Sequence, residues 1–309
     1  MDLLIQVIIF IVALTTLLKG SDWFIDSAEN IGLNLGIPPF IIGVTIVAFG
    51  TSLPELATSI SSVYQGEPEI PIGNVVGSNI TNIALVLGLV AVFVKKFEIE
   101  YNIWKLDVPV LGVSALMLWG AAFDGVFTLI EGIVFFVALL IFLGLTFSKE
   151  QEEEETEDLE TTNWKTYALL LFGGVMVYLG AEFTISSVSV IAEAIGIPSA
   201  VMALIFIALG TSLPEVIVSL NAAKKGKTSI AIGNVMGSNI FNTFCVMSIP
   251  RFFGELKVPD CVLHFQLPFM VFITFVFVAV TWNKKVSLVE GIIMLLLYVG
   301  FVAFTFYDV

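Results

Sequence analysis

The sequence has little charge, and most of that charge has one sign. Charged residues make up 13% of the 309 residues, with 13 Lys or Arg against 27 Asp or Glu and a formal net charge of −14. A soluble domain usually carries about 25% charged residues. A nucleic-acid-binding protein needs a basic surface, so this composition excludes nucleic acid as a partner.

Cysteine and histidine are also scarce. The 2 cysteines, Cys245 and Cys261, and the single histidine, His264, lie in or beside apolar segments. As functional groups they would be metal ligands, or a nucleophile and its base, but no paired spacing typical of a zinc site accompanies them. Packing is the favoured interpretation, and no cofactor is expected.

Apolar residues, in contrast, are abundant. They form 58% of the chain, and the mean hydropathy is +1.01. A bilayer can solvate this much apolar surface whereas a core of this size cannot hide it, so a soluble globular enzyme is excluded. Continuous apolar runs of about 20 residues predict an all-α polytopic membrane protein rather than a barrel of short alternating strands. The ten predicted transmembrane helices cover residues 2–19, 38–63, 71–94, 106–122, 125–147, 166–193, 198–223, 230–250, 258–281 and 287–307.

The ends of two spans are poorly defined, but the orientation follows from the basic residues. The first and sixth runs could begin earlier or continue past Gly20 and Gly180. Ten spans place both termini on one side, and with the termini outside, the inward connections hold ten of the 13 basic residues. The positive-inside rule therefore predicts a multi-pass protein of the cell (inner) membrane with both termini outside and residues 148–165 cytoplasmic.

An internal repeat organises the chain. A shift of 160 residues aligns 37–82 with 197–242 without a gap, and 21 of the 46 positions are identical. GTSLPE begins at Gly50 and again at Gly210, and GNVxGSNIxN begins at Gly73 and again at Gly233. The chain is thus predicted to hold one five-helix repeat over 1–147, an acidic linker over 148–165 and a second repeat over 166–309.

The odd number of helices in each repeat has a consequence for topology. Two copies of a five-helix unit in one chain enter the membrane in opposite orientations. Such inverted repeats are typical of secondary transporters, whose substrate site lies near the midplane between the repeats.

Each repeat places one acidic residue deep in an apolar run. Glu55 and Glu215 have no basic residue nearby in their spans, and a carboxylate at that depth costs about 2.5–3.5 kcal/mol on insertion scales. A bound cation, a proton or hydrogen-bond donors remain as partners. Thr51 precedes Glu55 by four residues, and Thr211 precedes Glu215 likewise, so each pair shares one helix face.

The residues around these acids supply oxygen ligands. Pro54 and Pro214 lack the N–H that would bond the carbonyl four residues back, which predicts a broken helix with free carbonyls near Gly50 and Gly210. Asn74, Ser78 and Asn82 follow at intervals of four. An all-oxygen set of this kind favours calcium over zinc, copper or iron. For any single hydroxyl or amide, simple bonding to a neighbouring helix is an equally good interpretation, but the duplication of the set favours an ion site.

The duplicated motifs resemble the two alpha-repeats of the cation/calcium exchanger superfamily, and most closely its prokaryotic sodium/calcium exchangers. The resemblance implies eight core helices around the site and two long tilted helices, the first and sixth, that slide across the core. Glu55, Glu215, Thr51 and Thr211 would bind calcium. The implied sodium ligands are Ser52, Ser78, Asn82, Ser212, Ser238, Asn242 and the carbonyls of Ala48 and Ala208.

Several functional hypotheses are open at this point. The first is a sodium/calcium antiporter that acts as a monomer in the lipid bilayer, and the second is a calcium/proton antiporter that uses the same glutamates. Many relatives carry Asp where this chain has Asn242, and we take the Asn to indicate potassium-independent transport. An intramembrane enzyme is disfavoured because no catalytic motif accompanies the acids. A passive channel is also disfavoured, because isolated deep acids in two inverted copies fit an occluded ion better than a continuous pore.

Much of the negative charge lies outside the predicted site. Eight acidic residues fall between positions 150 and 160, in the predicted linker. They would either collect calcium weakly or form a solvated, self-repelling connection, and the second interpretation is favoured because the segment joins two folded halves.

Overall fold

The computed structural model describes residues 3–148, 162–194 and 211–307. These residues are mainly helical, with four short strands among them. The helices are α1 Leu3–Asn34, α2 Pro39–Tyr64, α3 Ile70–Val94, α4 Asp107–Ala121, α5 Leu129–Ser148, α6 Trp164–Ala194, α7 Leu213–Lys224, α8 Thr228–Arg251, α9 Val262–Val280 and α10 Leu288–Tyr307. The strands are β1 Lys96–Glu98, β2 Val126–Phe127, β3 Leu256–Lys257 and β4 Lys285–Ser287.

The helices match the predicted spans in number and order. Within the described residues, 8 helices are long and apolar enough to cross a membrane, and α4 is a shorter apolar helix. Helix α7 is the described remainder of the seventh span, whose residues 198–210 lie outside the described ranges, as does most of the acidic linker. The predicted all-α polytopic architecture is confirmed.

The first helix continues past Gly20, which the sequence left open. Helix α1 ends at Asn34, beyond the approximate boundary at residue 19. The apolar run stops there because Asp22, Asp26 and Glu29 follow, but these acids share a face that pairs with lysines of the segment after α7. The helix beside this acidic face stays apolar and buried, with Ile25 and Ala28 at 0% exposure.

Helices α1 and α6 lie against each other in antiparallel orientation. A Cβ added at Gly173 would lie 2.8 Å from the nitrogen of Phe24, and one at Gly180 would lie 2.6 Å from the nitrogen of Leu17. These glycines let the two backbones approach more closely than any side chain would allow, as small residues often do in membrane helix pairs.

Two small sheets connect the repeats and mark the two ends of the helices. Strand β1 pairs with β4 and β2 pairs with β3, both antiparallel. Phe97 lies opposite Val286 in the first sheet, and the 160-residue shift converts this pair into Lys257 and Val126, which lie opposite each other in the second. The pairing therefore has the twofold relation expected of inverted repeats. We call the two ends of the molecule the β1–β4 face and the β2–β3 face.

Helix α2 is interrupted in its middle, as the motif predicted. Helical geometry ends at Thr51, Ser52 adopts φ −85° and ψ 1°, and a new helical segment runs from Leu53 to Tyr64. Ser212 adopts φ −83° and ψ 3° immediately before α7. The proline two residues after each serine explains the break, because it cannot donate to the preceding turn.

Helices α3 and α8 contain wider, π-helical turns beside this interruption. The turns cover Thr81–Leu87 and Asn242–Val246. Such turns often occur at functional sites. Helix α8 packs closely on α2, since a Cβ at Gly233 would lie 2.5 Å from the carbonyl oxygen of Phe40.

Candidate ion-binding site

Two carboxylates lie at the centre of the molecule. Glu55 is in the first turn of the segment Leu53–Tyr64, and Glu215 is in the first turn of α7. Both have 0% exposure. The interruption in α2 creates the first of these N-terminal ends inside the protein, and the start of α7 supplies the second. A helix N-terminus favours negative charge.

Each glutamate has one oxygen engaged and one without a partner. The hydroxyl of Ser78 donates to Oε1 of Glu55 at 3.4 Å, and the hydroxyl of Ser52 donates to Oε1 of Glu215 at 3.5 Å. Within the described ranges, Oε2 of each glutamate is buried without a hydrogen bond. Ser52 lies three residues before Glu55, so its bond to Glu215 places the two glutamates near each other. An oxygen in this position is available to a cation.

The two threonines connect the repeats to each other. The hydroxyl of Thr51 donates to Oδ1 of Asn234 at 3.1 Å and lies 3.3 Å from the hydroxyl of Ser238. The hydroxyl of Thr211 donates to Oδ1 of Asn74 at 3.0 Å and lies 3.3 Å from the hydroxyl of Ser78. These four contacts obey the 160-residue shift, so each threonine is held by the asparagine and serine of the other repeat.

Two further serines orient the asparagines, and sequence reasoning missed them. The amide of Asn74 donates to Ser59 at 3.1 Å, and the amide of Asn234 donates to Ser219 at 2.9 Å. Ser59 and Ser219 are fully buried and are identical positions of the repeat. Their identity across the repeats was the available signal, four residues after each glutamate.

Asn82 and Asn242 are buried at the start of the π-helical turns. Both have 0% exposure, and within the part of the chain that the structure describes neither side-chain amide has a hydrogen-bond partner. Buried amides normally have partners, because an unpaired one costs about 1–3 kcal/mol. Their oxygens therefore have free coordination capacity.

The structure gives fewer contacts for the remaining predicted ligands, Ala48, Ser212 and Ala208. The Ala48 carbonyl accepts bonds from the Ser52 nitrogen at 3.0 Å and from the Thr51 hydroxyl at 3.3 Å. Ser212 is 4% exposed. Ala208 lies outside the described residues. The hydrogen bonds thus bring together Glu55, Glu215, Thr51, Thr211, Ser52, Ser78 and Ser238.

A cavity of about 490 Å³ reaches this site from one direction. It extends from Thr211 towards later parts of α2 and α6, and both helices run from there to the β2–β3 face. Sequence reasoning identified no residue of α6 here. The lining includes Pro54 and Thr58 of α2, Tyr178 and Glu182 of α6, and Thr211 and Pro214.

The chain matches the profile of the family described as "Sodium/calcium exchanger protein" over residues 5–148 and 165–307. It belongs to the sodium/calcium exchanger family. The match thus falls in two separate ranges of the chain.

Individual relatives and a solved structure agree with this assignment. The chain is 31% identical to the sodium/calcium exchanger MaX1 of Methanosarcina acetivorans, with 98% of this chain and 99% of that protein covered. It is 34% identical to an uncharacterized membrane protein of Methanocaldococcus jannaschii, with 94% of each covered. A solved structure of the sodium-calcium exchanger NCX_Mj superposes with a TM-score of 0.85 at 32% identity, covering 98% of this chain and 99% of that one.

Proposed function

We propose that this protein is a secondary antiporter that exchanges sodium for calcium at one shared site between the repeats. Calcium would be held by Glu55, Glu215, Thr51 and Thr211. The observation that carries the proposal is the pair of fully buried glutamates, each with one oxygen unpartnered among the described residues. The relatives MaX1 and NCX_Mj are sodium/calcium exchangers, which supports the same pair of ions.

The charge of the site favours a divalent cation. Two carboxylates brought out of water cost several kcal/mol each unless they are neutralised in place. One calcium ion balances both charges and accepts six to eight oxygen ligands in flexible geometry. Carboxylate, hydroxyl and amide oxygens are the ligands present here.

Sodium would occupy overlapping positions. We assign its ligands to the serine hydroxyls, the two unpartnered asparagine amides and two backbone carbonyls, with the same glutamates shared between the ions. Because calcium and sodium compete for these acids, only one kind is carried at a time. The residues are Ser52, Ser78, Asn82, Ser212, Ser238, Asn242, Ala48 and Ala208, of which Ala208 lies outside the described residues.

Alternating access would move these ions across the membrane. The cavity that reaches Thr211 supports access from the β2–β3 face, while Thr51, on the other side, is only 1% exposed. Lysines adjoin β1 and β4, which supports assigning the β1–β4 face to the cytoplasm and the termini to the outside. The open cavity would then face the exterior of the cell membrane.

Four narrower features belong to the same proposal. Asn242 in place of an acid favours potassium-independent exchange, since the site then carries two charges rather than three. The protein would work as a monomer, because the site is built from the two repeats of one chain. It would carry out no covalent chemistry, and residues 148–165 would serve as a cytoplasmic linker.

The experiment is calcium-45 uptake into proteoliposomes with sodium, potassium and proton gradients imposed separately. We expect uptake only when sodium leaves the vesicle, with no dependence on potassium. Uptake driven by a pH gradient without sodium would instead establish calcium/proton exchange. Ohmic calcium current without counter-transport would indicate a channel and would overturn the proposal.

A further inference from the structure

The repeat relation extends beyond the ion site to two acidic residues on α1 and α6. At the same shift of 160, Gly20-Ser21-Asp22 aligns with Gly180-Ala181-Glu182. Asp22 and Glu182 are therefore equivalent positions in the two repeats. Neither belongs to the ion site described above, and they lie on the two helices that pack against each other outside it.

Glu182 lines the open cavity. Tyr178, one helical turn earlier on α6, lines the same cavity. The same cavity is lined by Thr211, whose hydroxyl bonds to Ser78, the residue that donates to Glu55. A cation that enters from the β2–β3 face therefore passes Glu182 before it reaches the two buried glutamates.

Asp22, unlike Glu182, is bound by side chains of and after α7. Its carboxylate lies 3.0 Å from Nζ of Lys225 and accepts a hydrogen bond of 3.0 Å from the amide of Asn221. Helix α1 is thereby joined to the end of α7. Val218 is fully buried in this part of α7, whereas its repeat counterpart Thr58 is exposed in the cavity.

We propose that Asp22 and Glu182 are a pair of access carboxylates, each attracting cations to the site from one face of the membrane. This proposal rests on the proposed exchange function. Glu182 acts from the β2–β3 face, where its cavity is open. Asp22 acts from the β1–β4 face, and Lys225 neutralises it while that route is closed. A single charge in a cavity with low-dielectric walls concentrates cations of opposite sign, which is the physical basis of the effect.

Sided transport measurements test the proposal. Calcium uptake is measured in right-side-out and everted membrane vesicles for the wild type, Glu182→Gln, Asp22→Asn and the control Glu255→Gln. Glu255 is an exposed acid of the β2–β3 face that does not line the described cavity. We expect Glu182→Gln to raise the half-saturating calcium concentration about fivefold on the β2–β3 face only, with the maximal rate unchanged. Asp22→Asn should do so on the β1–β4 face only.

Two further variants separate charge from structure. Asp22→Asn removes one of the two carboxylate partners of Lys225, which keeps its ion pair with Asp26 at 2.8 Å. The double variant D22N/K225M tests whether loss of the Asp22 carboxylate weakens calcium access when this lysine charge is also absent. Glu182→Asp keeps the charge and should restore the wild-type concentration dependence. The proposal would be overturned if either single variant, Glu182→Gln or Asp22→Asn, raised the half-saturating calcium concentration equally on both faces. It would also be overturned if Glu182→Gln and Glu255→Gln had equal effects. Absence of sodium-dependent flux in the wild type would instead contradict the exchange function itself.

Discussion

The two sides of the ion site have nearly the same sequence but different surroundings. On one side Thr51 is 1% exposed, and α1 is joined to α7 by hydrogen bonds from Asn221 to Ser21 and Asp22 at 3.2 and 3.0 Å. On the other side Thr211 lines a cavity between α6 and α2. Since both threonines belong to the motif GTSLPE, their different exposure comes from the helices packed around them and not from the motif.

The largest expected effect tests whether the two sides contribute equally to binding. Glu55→Gln and Glu215→Gln should each reduce calcium-45 uptake at least about 100-fold, because removal of one carboxylate leaves the ion half-neutralised in a buried site. The control Glu98→Gln, on exposed strand β1, should transport normally. If one of the two variants kept substantial uptake, the glutamates would not form a common site.

The next effect concerns the contacts that cross between the repeats. Asn74→Ala and Asn234→Ala each remove the acceptor of a threonine hydroxyl and the partner of a buried serine. We expect calcium affinity to fall about tenfold in both, since about 1.4 kcal/mol is the usual scale of such a loss. Calorimetric calcium titration of the purified protein measures this. A much larger effect for Asn234 would show that the closed side dominates binding.

A smaller effect distinguishes the packed side from the open side. Val218→Thr places a hydroxyl in a fully buried position, whereas Thr58→Val removes one from the cavity. We expect the first to lower the free energy of unfolding by about 1 kcal/mol and the second to leave it nearly unchanged. Thermal unfolding in detergent compares them. Equal effects would contradict the difference in packing between the two sides.

The smallest effect concerns Lys227, which lies 2.6 Å from both Asp26 and Glu29 at the β1–β4 face. Burial lowers the pKa of Lys227, but its bonds to these acids outweigh burial and raise the pKa above the usual value of 10.5. A raised pKa means that the stabilisation is fully present below that value and is lost as the pH rises through the folded-state pKa. We expect Lys227→Met to lower stability by at most about 1 kcal/mol at pH 8.

The same variant should be indistinguishable from the wild type once the pH exceeds the folded-state pKa of Lys227. Unfolding midpoints measured across this range check the sign. Lys285→Met, which removes a half-exposed partner of Glu98, is the matched control and should have a smaller effect at every pH. A difference that grew as the pH rose would contradict the role assigned to these ion pairs.

Much of the architecture was predictable because membrane helices and repeats leave strong patterns. The spans, the break before Pro54 and the two buried glutamates follow from apolar runs, proline chemistry and duplication. The sequence left open whether α1 continues past Gly20, because the acids that follow are also typical of a loop. Their partners, the lysines after α7, are placed beside them only in the folded structure. Ser59 and Ser219 were missed because a serine in a helix shows no partner in the sequence.

The sequence by itself determined that this is a membrane protein of two inverted repeats, and it predicted which oxygen-bearing residues each repeat contributes to the candidate ion site. Local chemistry and periodicity suffice for that. Only the tertiary structure decided that Thr211 is reached by a cavity while Thr51 is enclosed, and that Glu182 lines that cavity while Asp22 is paired with Lys225. Equivalent residues differ here because they contact different parts of α1 and α6, and such contacts between distant segments arise only when the chain is folded.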